Sequence, residues 1–392
     1  MTDISASDKE LIVKLRALIE KDLQLVPSYS DDYSLLRWII GWDRKMDVIV
    51  PKIQTSLRAI HALGLDKEDF STIEKITQKC DECSVSLRYL PGSLIGFDRD
   101  GNVLGIQMIG KLDAAGLMPC TKNSDLYRMR ITESEGIMQM IRKKEREEGR
   151  QFGTSAIFDL EGMSMSQLDM AALKVITTML AQLQEFFPDV VRKIFVINVP
   201  TFIQMLWTLV SPCLAKQTQE KIKILGNDWK KVLKESIGEE VLFEHWGGTR
   251  KAETEFGNVR MGGKIPPELK YDPANDIPND KLTKLSVSSR SVSFVPITLE
   301  GHEPGRKIYW WWRLAANDIE FCVLRAAEGK ENVAEDVNDY VVHPKFKLQT
   351  EYVPEEGEAP AEEPGVYKFV FDNSQSRLRA KNVRYFIEVR RS

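Results

Sequence analysis

The chain has 392 residues, 43% hydrophobic and 29% charged, with a formal net charge of −4. That length predicts two or three domains, each able to bury a core of its own. The mild acidity argues against a dedicated nucleic-acid binder, which carries a basic face, and the best basic run, Arg142-Lys143-Lys144, passes straight into Glu145-Arg146-Glu147-Glu148 and reads as a solvated helix end.

From the N-terminus, Met1–Asp8 is polar and acidic and lacks the apolar run of a secretory signal. The first 80 residues read as helices. Ser7-x-x-Glu10 is a capping box ahead of Leu11, Ile12, Leu15, Leu18 and Ile19. Asp31 or Asp32 can cap a second helix carrying Leu35, Leu36, Ile39 and Ile40, and a third runs from about Asp47 to Ala62 with Gly64 ending it. Cys80-Asp-Glu-Cys83 is a lone CxxC; the other cysteines, Cys120, Cys213 and Cys322, are isolated. A structural zinc site needs a second pair, and five scattered thiols suit a reducing, cytoplasmic setting.

From about residue 85 strands and helices alternate. Asp98-Arg-Asp-Gly101 reads as a hairpin turn before the strand Val103–Ile109. A charged amphipathic helix covers about Asp125–Glu147, followed by the strand Thr154–Leu160. Ser164-x-x-Gln167 opens a further helix through Leu168, Leu173, Ile176, Leu180 and Leu183, which Pro188 closes, and Lys193–Val199 is the next strand. Strands separated by helices of this length imply a mostly parallel or mixed sheet.

The next nine residues, Phe202–Val210, read Phe-Ile-Gln-Met-Leu-Trp-Thr-Leu-Val and stop at Ser211-Pro212. A helix here has almost no polar face, so it belongs in a core or against lipid. It is far shorter than the about 20 residues of a membrane span, and no other stretch is long enough. It is therefore either a core helix or a movable lid over an apolar cavity.

After the turn-rich stretch 262–273 helical periodicity disappears. Val292, Phe294, Ile297 and Leu299 mark a strand, followed by 308–314, 319–324, 345–352, 366–371 and 383–389. Short strands between turns suggest a β-sandwich. In Tyr309-Trp-Trp-Trp312, Trp310 and Trp312 should point one way, into the core, and Trp311 the other, as a surface aromatic or part of a partner or membrane site. The run Pro354-Glu-Glu-Gly-Glu-Ala-Pro-Ala-Glu-Glu-Pro364 offers nothing to bury and reads as a mobile acidic loop.

Motifs for catalysis are mostly missing. Gly105-Ile-Gln-Met-Ile-Gly110-Lys111-Leu112 approaches a P-loop but has Leu112 where a hydroxyl would hold magnesium. The dinucleotide fingerprint GxGxxG and the nucleophile elbow GxSxG are both lacking. The four histidines have no metal-ligand spacing. Asp98 and Asp100 start like a calcium loop, but Ile109 stands where its acidic ligand belongs. Asp159-Leu-Glu161 pairs two carboxylates at a strand end, an acid/base geometry with no nucleophile nearby. The expectation is a non-enzymatic protein without catalytic residues, metal or cofactor.

Several segments resemble the CRAL-TRIO lipid-binding family, of the secretory-pathway phosphatidylinositol-transfer type. They are Gly96-Phe-Asp-Arg-Asp-Gly101, Gly110–Leu117, Ile157-Phe-Asp-Leu-Glu-Gly-Met163, Phe187-Pro188, Ile197-Asn-Val-Pro200, Lys221–Gly226 and Trp246-Gly-Gly-Thr249. Leu35-Leu-Arg-Trp38 resembles the family's N-terminal helical module. Trp310, Asp318-Ile-Glu-Phe321, Pro364-Gly365, Phe371-Asp-Asn373 and Ala380-Lys-Asn-Val383 resemble a C-terminal GOLD domain. In this order they are similar to the supernatant protein factor or tocopherol-associated protein subfamily.

The resemblance implies a small helical module over 1–80, an α/β lipid-binding domain with a mixed, mostly parallel sheet over 81–255, and a jelly-roll-like GOLD β-sandwich over 275–390. It implies that helix 202–210, with Phe202, Leu206 and Val210, is a gate closing over one bound lipid. Asp189, Thr218 and Lys221 match the positions that hold a phosphoinositol headgroup, with Glu in place of Asp189 in many relatives. Where relatives read Leu-Arg-Ala-Arg, this chain reads Ile39-Ile-Gly-Trp-Asp-Arg44, so a basic residue beside the phosphate is either missing or replaced by Arg44. Phe158, Leu160, Phe195 and Ile197 are the candidate walls for the lipid tails, with methionines such as Met163 and Met179 as adaptable filling. The expected protein is a cytoplasmic carrier or sensor of one phospholipid or isoprenoid. It would touch intracellular membranes transiently, with a protein partner for the GOLD domain and no nucleic acid. The other readings are an adaptor with a vestigial pocket and a hydrolase built on Asp159 and Glu161.

Overall fold

The structure is a computed structural model that describes residues 4–165 and 169–391. The chain divides into two compact units: 1–57, 66–117 and 129–267 form the first; 58–65, 118–128 and 268–392 form the second.

The first unit opens with helices α1 (Ala6–Leu18), α2 (Glu20–Leu25), α3 (Asp32–Gly41), α4 (Met46–Ala62) and α5 (Ile73–Asp81). The cap of α1 is Ser5 rather than Ser7: its hydroxyl accepts the Asp8 amide at 3.1 Å and donates to the Asp8 carboxylate at 2.8 Å. Asp31 caps α3 through the Ser34 amide at 2.9 Å. These helices do not stand as a unit of their own. Two buried ion networks bind them to the longer helix α7 (Asn123–Glu148), which follows the short α6 (Ala114–Leu117). In one, Glu135 accepts from the Tyr29 hydroxyl and from Arg142, each at 2.5 Å. In the other, Arg37 pairs with Glu145 and donates to the Phe152 carbonyl at 2.7 Å.

Strands β1 (Ser93–Phe97) and β2 (Val103–Gln107) form the expected hairpin, whose Asp98 carboxylate accepts the amides of Asp100 at 3.0 Å and Asn102 at 2.8 Å. Strands β3 (Thr154–Asp159), β4 (Val191–Ile197) and β5 (Ile222–Ile224) then add in parallel, giving the order β1-β2-β3-β4-β5. The connections are α8 (Met170–Phe186), which Asp169 caps, and α9 (Ile203–Val210) with α10 (Lys216–Gln219). The Gln167 and Leu168 predicted for the start of α8 lie outside the described residues.

Alternation along β2, β3 and β4 decides which sheet face is closed. Leu104, Ile106, Ile157, Phe195 and Ile197 share one face and pack with Leu233 and Ile237 of α11 (Trp229–Ile237) and with Leu242, Phe243 and Trp246. The register puts Gln107, Phe158 and Val196 side by side on the opposite face, where all three are half-buried.

The second unit is a β-sandwich. Its strands are β6 (Thr283–Val287), β7 (Val292–Leu299), β8 (Lys307–Leu314), β9 (Asp318–Arg325), β10 (Tyr340–Gln349), β11 (Glu355–Pro360), β12 (Gly365–Asp372) and β13 (Lys381–Arg390). They form two antiparallel sheets, β10-β9-β12-β7 and β11-β8-β13-β6. Trp310 and Trp312 face inward, with Trp312 against Phe321 at 5.3 Å and Phe371 at 5.6 Å. Trp311 is a correction: it points the other way, as alternation requires, yet it is buried. The segment holding Tyr271 roofs that face, its ring against Arg313 at 5.8 Å while Arg313 pairs with Asp276 at 3.1 Å.

A second correction concerns 354–364, which is not a loop. Six of its residues form β11 on the edge of β8, where backbone pairing replaces side-chain burial as the source of order. Its small residues suit the position: a Cβ on Gly357 would fall 2.3 Å from the Trp310 ring. Its acids find partners, Glu358 with Lys307 at 2.7 Å and Glu356 with the Tyr309 hydroxyl at 2.9 Å.

Glu355 opens β11 fully enclosed, and burial pushes its carboxyl up to about 7, against the pull of Lys122 and Ser124. A folded-state value above the ordinary 4.5 means that the folded chain binds the proton more tightly. Its stabilising share is full below that ordinary value and is lost as pH rises through 7. Thermal unfolding followed from about pH 5 to about pH 8 should lose roughly 3 kcal/mol from this group. Glu355→Gln should flatten that slope; an unchanged slope would show that Glu355 is not its source.

Candidate functional site

The stretch singled out for its lack of a polar face is a helix, α9, one residue shorter than expected, with Phe202 at its N-cap position. It is not a core helix. Only Leu206 is buried; Phe202, Ile203, Trp207 and Val210 are half-buried, and Met205 and Leu209 are exposed. A run of large apolar side chains left partly open to water marks an interaction surface rather than packing.

The four predicted wall residues do not line one wall. Phe195 and Ile197 lie in the closed core against α11 and Trp246, whereas Phe158 lies on the half-covered face beside Val196. Leu160 is buried just beyond the end of β3. All four are large apolar residues on or just beyond neighbouring strands, and the parallel register separates them. Counting alternation from Phe158 across β4 reaches Val196 instead.

Asp189 and Lys221 do come together. The Asp189 Oδ1 accepts from Lys221 Nζ at 3.1 Å and from Arg192 Nη1 at 3.3 Å. The Asp189 carbonyl accepts from Arg192 at 2.7 Å and from Arg37 at 3.2 Å, which holds a non-glycine residue at φ 50°. Thr218 sits half-buried in α10, its carbonyl accepting the Lys221 amide at 3.1 Å. The neighbouring Gln217 donates to Asp43 Oδ1 at 3.1 Å. Gly41 is tied to the same place, since a Cβ there would meet the Pro188 side chain at 2.6 Å.

Arg44 is not the missing cation. It clamps Asp8 through two bonds of 2.8 and 3.0 Å, and this hydrogen bonding holds the Asp8 carboxyl below its usual range despite some burial. The second cation beside Asp189 is Arg192, three residues along the chain, a spacing that could have exposed it. Two cations around one carboxylate leave donor capacity for anionic oxygens, and Asp189 can accept from hydroxyls.

Asp159 and Glu161 separate in role. Asp159 is wholly buried and accepts from Asn198 Nδ2 at 2.9 Å, the Glu161 amide at 3.0 Å and Trp246 Nε1 at 3.2 Å. Burial raises its carboxyl, but bonds from His245, Asn198, Glu161 and Trp246 outweigh that and hold it below the usual range. Its acceptor positions are spent on the fold. The P-loop look-alike is also structural: Gly110 passes so close to the Glu161 carbonyl that a Cβ would lie 2.1 Å from it. A small cleft of about 50 Å³ opens elsewhere, lined by Ile76, Leu87, Leu94, Met129 and the Arg260–Asp81 pair, and holds none of the predicted site residues.

Residues 87–248, which contain α9, Asp159, Asp189, Thr218 and Lys221, match the model of the CRAL/TRIO domain. Protein ctg-1 of Caenorhabditis elegans is 23% identical over 97% of this chain and 96% of its own length. Protein real-time of Drosophila melanogaster is 24% identical over 83% of this chain, which matches 52% of that protein. The crystal structure of Sfh5 aligns with a TM-score of 0.47 and 16% identity, covering 67% of this chain and 96% of that one. Among the described residues no helix is long and apolar enough to cross a membrane.

Asp159→Ala should lower the unfolding free energy by about 2–4 kcal/mol, because it strands several buried donors. Denaturant unfolding measures this; a wild-type midpoint would show that Asp159 is not an anchor.

Proposed function

We propose that this chain binds one hydrophobic lipid in its CRAL/TRIO domain and carries it between membranes or presents it to partners, without turning over a substrate. In this reading α9 is the gate, Phe158 belongs to the wall facing the lipid tails, and the cluster of Asp189, Thr218, Lys221 and Arg192 receives the headgroup. The observation that carries the reading is α9 itself, a short helix of large apolar side chains that buries only Leu206.

The energetics favour such a device. Two acyl chains of roughly thirty methylenes would cost on the order of 24 kcal/mol to expose to water. Moving them from a bilayer into an apolar pocket changes their surroundings little. A carrier therefore needs no great affinity; it needs a cover that is apolar towards the cargo when shut and towards the bilayer when open. The exposed Met205 and Leu209 suit the open state.

The polar cluster favours an anionic headgroup that also carries hydroxyls, since lysine and arginine can meet phosphate while Asp189 accepts from the hydroxyls. That is the chemistry of a phosphoinositide more than of a tocopherol. We assign the β-sandwich, as a GOLD-type domain, to contacts with a protein or a membrane, in a cytoplasmic protein that visits membranes peripherally.

Organic extraction of the purified chain followed by lipid mass spectrometry should recover about one lipid per chain. The double substitution Phe202→Asp with Leu206→Asp should abolish uptake from vesicles while leaving circular dichroism intact. Undiminished uptake in that variant refutes the gate. A wild-type chain that purifies empty and takes up nothing refutes the carrier.

A further inference from the structure

We infer that Gln184 and Gln219 form a latch on the C-terminal side of α9, so that the lid releases at residues 211–215 and pivots about Asn198; this rests on the reading of α9 as a gate. Gln184 lies near the end of α8. Its Nε2 donates to the Cys213 carbonyl at 2.8 Å, and its Oε1 accepts the Ala215 amide at 2.8 Å. One side-chain amide thus grips the backbone on both sides of Leu214, as a neighbouring strand would. Gln219, in α10, adds Nε2 bonds to the carbonyls of Ser211 at 2.9 Å and Leu214 at 3.0 Å. Two glutamines therefore satisfy three carbonyls and one amide in the five residues that follow the lid.

The other end of the lid is built differently. Asn198 takes a left-handed backbone at φ 51°, and its side chain is fixed to the wholly buried Asp159. A bond to an enclosed carboxylate cannot be exchanged for water without opening the core, so this end stays put. The glutamine bonds lie at a partly exposed surface. Water can take them over one by one, which makes them weak in net terms and quick to remake. Between the two ends, α9 buries only Leu206, and its Thr208 hydroxyl bonds back to its own helix at the Gln204 carbonyl, 2.9 Å away. The closed state is therefore set by the ends, and only one end can let go.

Glutamine is required because the site needs both a donor and an acceptor. A glutamate at 184 could still accept the Ala215 amide but could not donate to the Cys213 carbonyl. Loss should therefore be graded, with Gln184→Leu loosening the segment more than Gln184→Glu.

The full chain tests this by amide hydrogen exchange with mass spectrometry, alongside transfer of a pyrene-labelled phosphatidylcholine between phosphatidylcholine vesicles. Gln184→Leu and Gln219→Leu should each speed exchange in 211–215 by about tenfold, leave β3 and β4 protected, and speed pyrene-lipid transfer. If one variant does not fold, the other decides. Wild-type exchange at 211–215 in a folded variant overturns the latch, as does faster exchange that begins at 198–202 instead. Faster exchange at 211–215 in a chain whose wild type moves no pyrene lipid supports the latch and overturns the carrier reading.

Discussion

The first unit depends on one buried carboxylate. Asp159 ends β3, and with no exposed surface it must be met by donors on all sides or cost several kcal/mol. The chain supplies them from three places: the turn just after β3, Asn198 just after β4, and Trp246 far along the sequence. The ends of two parallel strands are thereby pinned to each other and to the tryptophan that closes the core face. Because Asn198 is held there, the chain leaves the sheet towards α9 at a fixed point. An acid/base residue needs a free lone pair and access to substrate. Asp159 is enclosed and its oxygens are engaged by Glu161, Asn198 and Trp246, so this strand-end carboxylate anchors the fold.

The same economy of buried charge governs the N-terminal helices. Arg37 and Arg142 are enclosed, and each is met by a glutamate from α7. Burial drags the Arg37 guanidinium down while Glu145 draws it back up. Removing one partner from such a pair costs about 3–5 kcal/mol, whereas the intact pair adds little to stability. Its value is in fixing geometry. Arg37 also donates to the Asp189 carbonyl, so a helix from the N-terminal region helps position the backbone beside Lys221 and Arg192. The Asp189 carbonyl is thus held from two sides, by Arg37 and by Arg192.

Local signals were legible in the sequence, and long-range ones were not. The hairpin at Asp98, the cap at Asp31, the apolar helix α9 and the strands of the sandwich follow from periodicity and turn chemistry. The resemblance groups Asp189 and Lys221 as contacts of one headgroup; that they pair with each other, 32 positions apart, is visible only in the structure. Arg44 failed because its partner, Asp8, lies on another helix. Phe195 and Ile197 fall on the closed face, apart from Phe158, because hydrophobicity does not say which face of a two-sided sheet a residue takes; register does. The strand at 355–360 was hidden by its composition. Acidic sequence without large apolar side chains argues for disorder only when it has no edge to pair with, and β8 provides one.

If α9 is the lid we propose, it must be poorly held, and that constraint accounts for features that look like defects. An apolar helix packed on all sides would be stable and useless; one free on all sides would recruit the wrong partners. In that reading, burying Leu206 alone and tying the C-terminal end with the uncharged amides of Gln184 and Gln219 gives a closed state that is favoured but not deep. Ion pairs would suit the role less well, because their strength falls with salt and shifts near an anionic bilayer. Amide-to-backbone bonds are indifferent to both. Such a latch yields to a competing apolar surface rather than to charge, so the bilayer that must take the lipid would itself be what opens the lid.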